Sequence, residues 1–295
     1  MAIELKTLEQ LKSMRKAGLV VADTLKLIKQ SAQIGMTTLD LNEIAVTNLA
    51  KHGAKSSFLG YHGFPAVICA SVNEEVVHGI PNKRKLVSGD LLSVDFGAII
   101  EDWHGDAAIS FGLGEIDPAD QKLMDVCEES MWRGIAAGKK GGKLTDISAA
   151  IEGYINSQGK YGILREYGGH GIGSAMHQEP HILNFGPAGN GPELVVGMAL
   201  ALEPMITRGN ERTKVLSDDS KLNAVDYYLT EDKSQEEVCK IFKCSPRSLM
   251  RWVNQYNKDG EIKRNNKKPV AYKINKNQVE YALEEIKKNK TITIE

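Results

Sequence analysis

The stretch Leu91–Phe111, LLSVDFGAIIEDWHGDAAISF, has few ways to fold. Two runs rich in branched and aromatic residues flank a polar pair, Glu101–Asp102. That pattern predicts an antiparallel hairpin turning at the pair. Asp95 then faces Ala108, and Asp106 faces Gly97. Residues 95 and 97 point the same way, so the two aspartates share one sheet face as diagonal neighbours, about 7–8 Å apart at the backbone. A buried carboxylate without a partner is costly. Three arrangements satisfy the hairpin alone: one acid is protonated, a hard or borderline divalent cation sits between them, or both lie at strand ends facing water.

Helical periodicity over Leu8–Ser31 places Leu11, Met14, Ala17, Val20, Val21, Leu25 and Ile28 on one stripe. A second helix follows in residues 35–53; Asp40 with Glu43 reads as its better cap and Thr38 with Leu41 as a weaker one, and Gly53 stops it. Ala66–Ser71 and Leu91–Ile100 read as strands. Helices starting at Pro118 and Lys143 each close on glycine, and Ala199–Met205 reads as a short apolar strand containing Glu203. Helix, helix, strands thus occurs twice, which suggests a structural duplication. Antiparallel strands with helices on one face define an α+β class.

Further polar groups occupy apolar sequence. EYGGHGIGSAMHQEP carries His170 in a glycine-rich bend and His177 seven residues later, and GMALALEPMI carries Glu203. Two aspartates, a glycine-framed histidine and a strand-embedded glutamate together favour the cation. The 55-residue stretch from Gly60 to Gly114, GYHGFPAVICASVNEEVVHGIPNKRKLVSGDLLSVDFGAIIEDWHGDAAISFGLG, together with GGHGIGSAMHQEPHI and GMALALEPMIT, resembles the type I methionine aminopeptidases from Met1 to about Asp219. The resemblance implies the two-fold-symmetric pita-bread fold (creatinase/aminopeptidase-like) and two divalent metal ions, Co, Mn, Fe, Zn or similar. It implies Asp95, Asp106, His170 and Glu203 as metal ligands, with Asp106 bridging. His78 and His177 become the catalytic residues that contact the substrate and stabilise the tetrahedral intermediate, and Tyr61, Phe64 and Cys69 line a methionine pocket. From the residues alone, Cys69, Tyr61 and Phe64 also suit a plain core. His62 and His104 read as surface or turn histidines without a role.

The family pattern breaks after KVLSDD. Ser220 stands where the family has tryptophan, and the family's later Glu-His pair, whose glutamate is the fifth, bridging metal ligand, has no counterpart: no histidine follows His181. Alignment on LTED puts Ala224 at the glutamate position, and nothing in the spacing makes Asp226 or Glu231 its substitute. The expectation is a catalytic domain truncated in its C-terminal strands, with weakened metal occupancy and impaired activity.

Composition changes at the same place. Residues from Lys221 onward hold 16 Lys and Arg against 11 Asp and Glu, a charge of +5, while the preceding part carries −6. These regimes suggest two domains, 1–220 and 221–295. In the second, SQEEVCKIFKCSPRSLMRWVNQYNKDG reads as helix, tight turn, helix, with Ser234 and Glu237 as a capping box and Pro246 after the cap Ser245. Val238, Ile241 and Phe242 form one apolar stripe, and Leu249, Trp252, Val253 and Tyr256 another. The unit resembles the helix-turn-helix of transposase-like proteins, which implies Arg247, Ser248 and Arg251 as DNA contacts and the basic run at 263–268 as a phosphate-binding linker. A solvated helical hairpin is the alternative.

No apolar run reaches membrane-span length, the N-terminus reads as a helix start rather than a signal peptide, and the four cysteines show no disulfide framework. A cytoplasmic location is expected. The expected partners are the N-terminal methionine peptides of nascent chains, the ribosome, and DNA for the C-terminal part, with no membrane. The functional expectation is metal-dependent removal of N-terminal methionine, impaired by the absent fifth ligand. A non-catalytic pita-bread protein or a DNA-binding fusion product is the alternative.

Overall fold

The structure, a computed structural model, describes residues 3–213, 234–241 and 245–259. The expected boundary at Ser220, the candidates Ala224, Asp226 and Glu231, Phe242, and the run at 263–268 lie outside them. The side chain of Tyr256 does too.

The first half begins with α1 (Leu8–Ser31), whose entry is a capping box: Gln10 N–H donates to Thr7 Oγ1, and Thr7 N–H to Gln10 Oε1. Helix α2 (Thr38–His52) also starts on a capping box, made by Thr37 and Asp40. This corrects both caps expected from the sequence. Thr38 is already helical, and its hydroxyl donates to Asn82 O. Short β1 (Lys55–Ser56), β2 (Ile68–Val72), β3 (Leu91–Ile100) and β4 (Trp103–Gly112) form one antiparallel sheet in which β3 pairs with the other three. The hairpin register is the expected one: Asp95 opposes Ala108 and Gly97 opposes Asp106. Both turn residues, Glu101 and Asp102, have positive φ (51° and 62°). That is the combination a tight two-residue hairpin turn requires.

The buried stripe of α1 runs from Ala17 to Ile28, and its Val20, Val21, Leu25 and Ile28 pack with Leu92, Val94 and Phe96 of β3 and Phe111 of β4. Helix and sheet approach most closely at Gly105, where a Cβ would lie 2.7 Å from the Gly18 nitrogen. This contact seats the strand bearing Asp106 directly on α1.

The second half repeats the order: α3 (Pro118–Ala137), α4 (Leu144–Gln158), β5 (Tyr161–Ile163), β6 (Gly169–Gly171), β7 (Gln178–Ile182), β8 (Leu200–Ala201) and β9 (Ile206–Arg208). β5 pairs with β9, and β6 lies between β7 and β8, all antiparallel. Its core joins Val126, Leu144, Ile147, Ile151, Ile155, Ile182 and Leu194. The α+β expectation holds, but one expected strand is shorter. It covers Leu200–Ala201, and Glu203 lies in the irregular segment that follows. Pro204 explains this, because proline supplies no ladder N–H and restricts the residue before it.

In the C-terminal part, α5 (Gln235–Ile241) starts with the Ser234–Glu237 capping box. Helix α6 (Pro246–Asp259) starts at the Ser245 cap, which accepts from Ser248 N–H. Val238, Leu249 and Val253 are buried.

Candidate metal centre

Three side chains from distant parts of the chain converge. Ligand atoms of Asp106, His170 and Glu203 all lie within 4.8 Å of one another. Asp106 comes from β4. His170 comes from β6, held by pairing with Ala201 on one side and His181 on the other. Glycines frame it because the strands press close: a Cβ at Gly169 would lie 2.2 Å from Ala201 O, and one at Gly171 2.2 Å from Glu179 O. Glu203 follows β8, and two contacts hold its backbone. Asn184 Nδ2 donates to Glu203 O at 2.8 Å, and Cys127 Sγ donates to Pro204 O at 3.1 Å. Neither partner was legible in the sequence.

His170 Nδ1 lies 2.9 Å from Gly171 O, which leaves Nε2 facing the acids, 2.9 Å from Glu203 Oε1 and 3.6 Å from Asp106 Oδ2. Burial opposes the charged imidazole, but the hydrogen bonds and charges of Asp106 and Glu203 outweigh it and raise the pKa to about 10. Asp95 shares the sheet face with Asp106 but stands outside the compact group of three. Desolvation, then the charges of Asp106 and Glu203, push its pKa well above the carboxylate range.

The donor set fits a divalent cation. Asp106 Oδ1 is buried without a hydrogen-bond partner, while Glu203 Oε1 faces His170 Nε2 at 2.9 Å; an orphaned buried acceptor such as Oδ1 is expensive unless something positive faces it. Carboxylates with one imidazole suit a borderline metal, and the Nδ1 contact to a backbone carbonyl is the usual way of orienting a histidine ligand.

His177 and Tyr61 stand beside this group. The His177 ring packs edge-on against His170, centroids 4.2 Å apart, and its Nδ1 lies 2.7 Å from the Tyr61 hydroxyl. His78 has φ +59° and sits where the next residue, Gly79, is pressed on β2 by reciprocal contacts with Ala70 and Ser71. Burial lowers its pKa, the Glu203 charge opposing, and its ring meets Tyr167 edge-on at 5.9 Å. Phe64 and Cys69 join an apolar cluster with Phe58 and Met176, two residues the sequence reading did not single out. Cys69 opposes Asp95 across β2 and β3, and burial first, then Asp95 and Asp106, push its thiol pKa far up. His104 is not a surface histidine: it is half-buried, with Nδ1 2.9 Å from Ser57 Oγ. Arg247 and Arg251 are exposed on α6, while Ser248 is half-buried and its hydroxyl accepts from that of Ser245.

The pattern of metallopeptidase family M24 matches residues 12–227, and that of a helix-turn-helix domain matches residues 220–269. A methionine aminopeptidase of Clostridium acetobutylicum is 46% identical over 211 residues, covering 71% of this chain and 84% of that protein. Methionine aminopeptidase 1 of Mycobacterium tuberculosis is 46% identical over 223 residues, covering 74% and 84%. The crystal structure of methionine aminopeptidase from Thermotoga maritima superimposes with a TM-score of 0.72 at 38% identity, covering 74% of this chain and 88% of that one.

Proposed function

Since the chain belongs to metallopeptidase family M24 and, within it, to the methionine aminopeptidases, we propose that it removes the N-terminal methionine of nascent chains whose second residue is small, at a rate well below that of its relatives. The observation that carries this reading is the meeting of Asp106, His170 and Glu203, with the Asp106 Oδ1 buried and unpartnered. Those three would hold metal, with Asp95 completing the set beside Asp106. A bound divalent ion there supplies Lewis-acid polarisation and an acidified water.

The chain's own residues do the rest. In the tautomer that accepts the Tyr61 hydroxyl at Nδ1, His177 carries its proton on Nε2 and offers it to a substrate carbonyl or amide. His78, kept neutral by burial, donates in the same way. Phe64 and Cys69, with Phe58 and Met176, offer a flexible thioether an apolar, sulfur-containing wall. The reduced rate would follow from the sequence after Asp219, which lacks the Glu-His pair and so offers a bound metal one carboxylate fewer.

Metal stoichiometry and cleavage of a Met-Gly-type peptide, measured on one sample with added cobalt or manganese, test this. Sub-stoichiometric metal with slow but measurable cleavage is expected. Turnover equal to that of a relative assayed alongside refutes the impairment, and no metal binding at all refutes the enzyme.

A second activity is favoured by the helix-turn-helix match at 220–269 and the exposed Arg247 and Arg251: duplex DNA binding through α6, with the domain boundary at 220/221. Under it the M24 part would be a non-catalytic passenger. The thiols of Cys69 and Cys127, which form no disulfide, suit a cytoplasmic setting, and no helix among the described residues is long and apolar enough to cross a membrane.

A further inference from the structure

The loop that closes the β6–β7 hairpin, residues 172–177, carries His177, while His170 sits on the β6 arm. Extended pairing fixes the arm. The loop is held differently, from the first few residues of the chain. Lys6 is a buried lysine, its side chain 1% exposed. Its Nζ donates to Gln178 Oε1 at 2.8 Å and to Glu4 O at 3.1 Å. The Gln178 amide nitrogen donates to Glu4 Oε2 and, at 3.2 Å, to Ser174 Oγ. The Ser174 hydroxyl donates to Glu4 Oε2 at 3.2 Å. Lys6 thus sets which way the Gln178 amide faces, and Glu4 and Ser174 complete the pattern. Ser174 lies within the loop and Gln178 is the first residue of β7, so the network ties the loop to the strand that leaves it.

The arrangement is built for this contact. The Lys6 stem runs over Gly173, where a Cβ would lie 2.4 Å from Lys6 Cε and 2.8 Å from Gln178 Oε1. Lys6 N–H donates to Gly197 O at 2.7 Å, and His104 N–H donates to Gly173 O at 2.9 Å. The next residue, Thr7, is the cap of α1, which packs on the strand bearing Asp106. A lysine loses both hydration and rotamer freedom on burial. A purely structural position would be served by an apolar residue at less cost.

We infer that Lys6 and Gln178 are positioning residues that hold the His177 imidazole in register with the Asp106–His170–Glu203 group. The inference rests on the aminopeptidase reading only for its kinetic consequence; the geometry stands without it. Because the metal donors lie outside the loop, the clamp acts on substrate engagement and not on metal affinity. Misplacing, by a fraction of an ångström, a group that stabilises the transition state costs about ten-fold in kcat/KM.

The test uses the full chain, Lys6→Met and Gln178→Ala. Lys6→Met keeps the stem over Gly173 and removes the donor. Histidine imidazole NMR signals are recorded on 15N-histidine-labelled protein, with His177→Asn to assign His177 and His52 on α2 as internal control. Manganese affinity and the steady-state kinetics of a Met-Gly-type peptide are measured on the same samples. The expected result is a shifted or broadened His177 signal with His52 unchanged, manganese affinity within two-fold of wild type, and a kcat/KM lowered about ten-fold, mostly through kcat. A His177 signal identical to wild type in both variants overturns the inference. So does a manganese affinity that falls as far as kcat/KM, because the effect is then general loosening. If the wild type cleaves no peptide, the aminopeptidase reading fails and the NMR comparison alone decides the clamp. If Lys6→Met does not fold, Gln178→Ala decides it.

Discussion

Two glycines in the second-half helices should respond to the same substitution with opposite signs. Gly153, in α4, is exposed, and a Cβ there meets nothing within 4 Å. Gly134, in α3, is buried; a Cβ there would lie 2.8 and 2.9 Å from Cγ1 and Cδ1 of Ile151 and 3.2 Å from a Leu202 methyl. Alanine is favoured over glycine in a helix interior by about 1 kcal/mol, so Gly153→Ala should stabilise by up to that amount. At position 134 the same gain is set against overpacking, which costs roughly 1–3 kcal/mol in a close-packed core. Ile151 is fully buried and cannot swing away, so the cost should prevail and leave a net loss of up to about 2 kcal/mol. The displaced neighbours matter for function, because Leu202 immediately precedes Glu203. Gly134→Ala should therefore also weaken manganese binding, while Gly153→Ala leaves it unchanged. Urea unfolding followed by circular dichroism, with calorimetric manganese titration of the same proteins, measures both effects. If Gly134→Ala stabilises as much as Gly153→Ala, the argument that α3 and α4 meet at that distance is wrong.

Removing the Asp106 carboxylate with Asp106→Ala should abolish detectable manganese binding by calorimetry, since it takes away the acid that faces both His170 and Asp95. Thr37→Ala should cost about 1 kcal/mol in urea unfolding, the usual price of a lost helix cap, whereas Thr38→Val tests only the hydroxyl contact to Asn82. Asp146 accepts from the N–H groups of Lys143 and Gly189, which holds its pKa below the ordinary carboxylate value. A depressed folded pKa gives stability that is present above the unfolded value and lost as pH falls through the folded one. Asp146→Asn should therefore narrow the gap to wild type as pH falls from about 5 toward 2, read by thermal melts across that range. If the C-terminal part binds DNA, Arg247→Ala should weaken a salt-dependent duplex shift and flatten its dependence on salt; an unchanged shift would place binding elsewhere.

Much of this protein could be read before any coordinates. The hairpin register followed from two apolar runs around a polar pair, because a two-residue turn leaves a single pairing and alternation then assigns every face. The paired helices followed from periodicity, and the ligand candidates from the oddity of acids in apolar sequence. The family's motifs added the roles of Asp95, His78 and His177. What failed locally did so for physical reasons. The α2 cap belongs to Thr37 because the side chain one residue before the helix is the one that reaches the free N–H groups. Glu203 lies beyond its strand because Pro204 forbids a ladder bond. Other features were beyond any local pattern. That Asn184 and Cys127 hold the backbone around Glu203, that Met176 and Phe58 join the apolar cluster of Phe64 and Cys69, and that Lys6 reaches across more than 170 positions of chain to Gln178 depends on contacts between segments remote in sequence. Local sequence determines which elements form and which faces they bury, because propensity and periodicity act over a few residues. Only the tertiary arrangement decides which side chains meet, because that is set by the packing of whole layers.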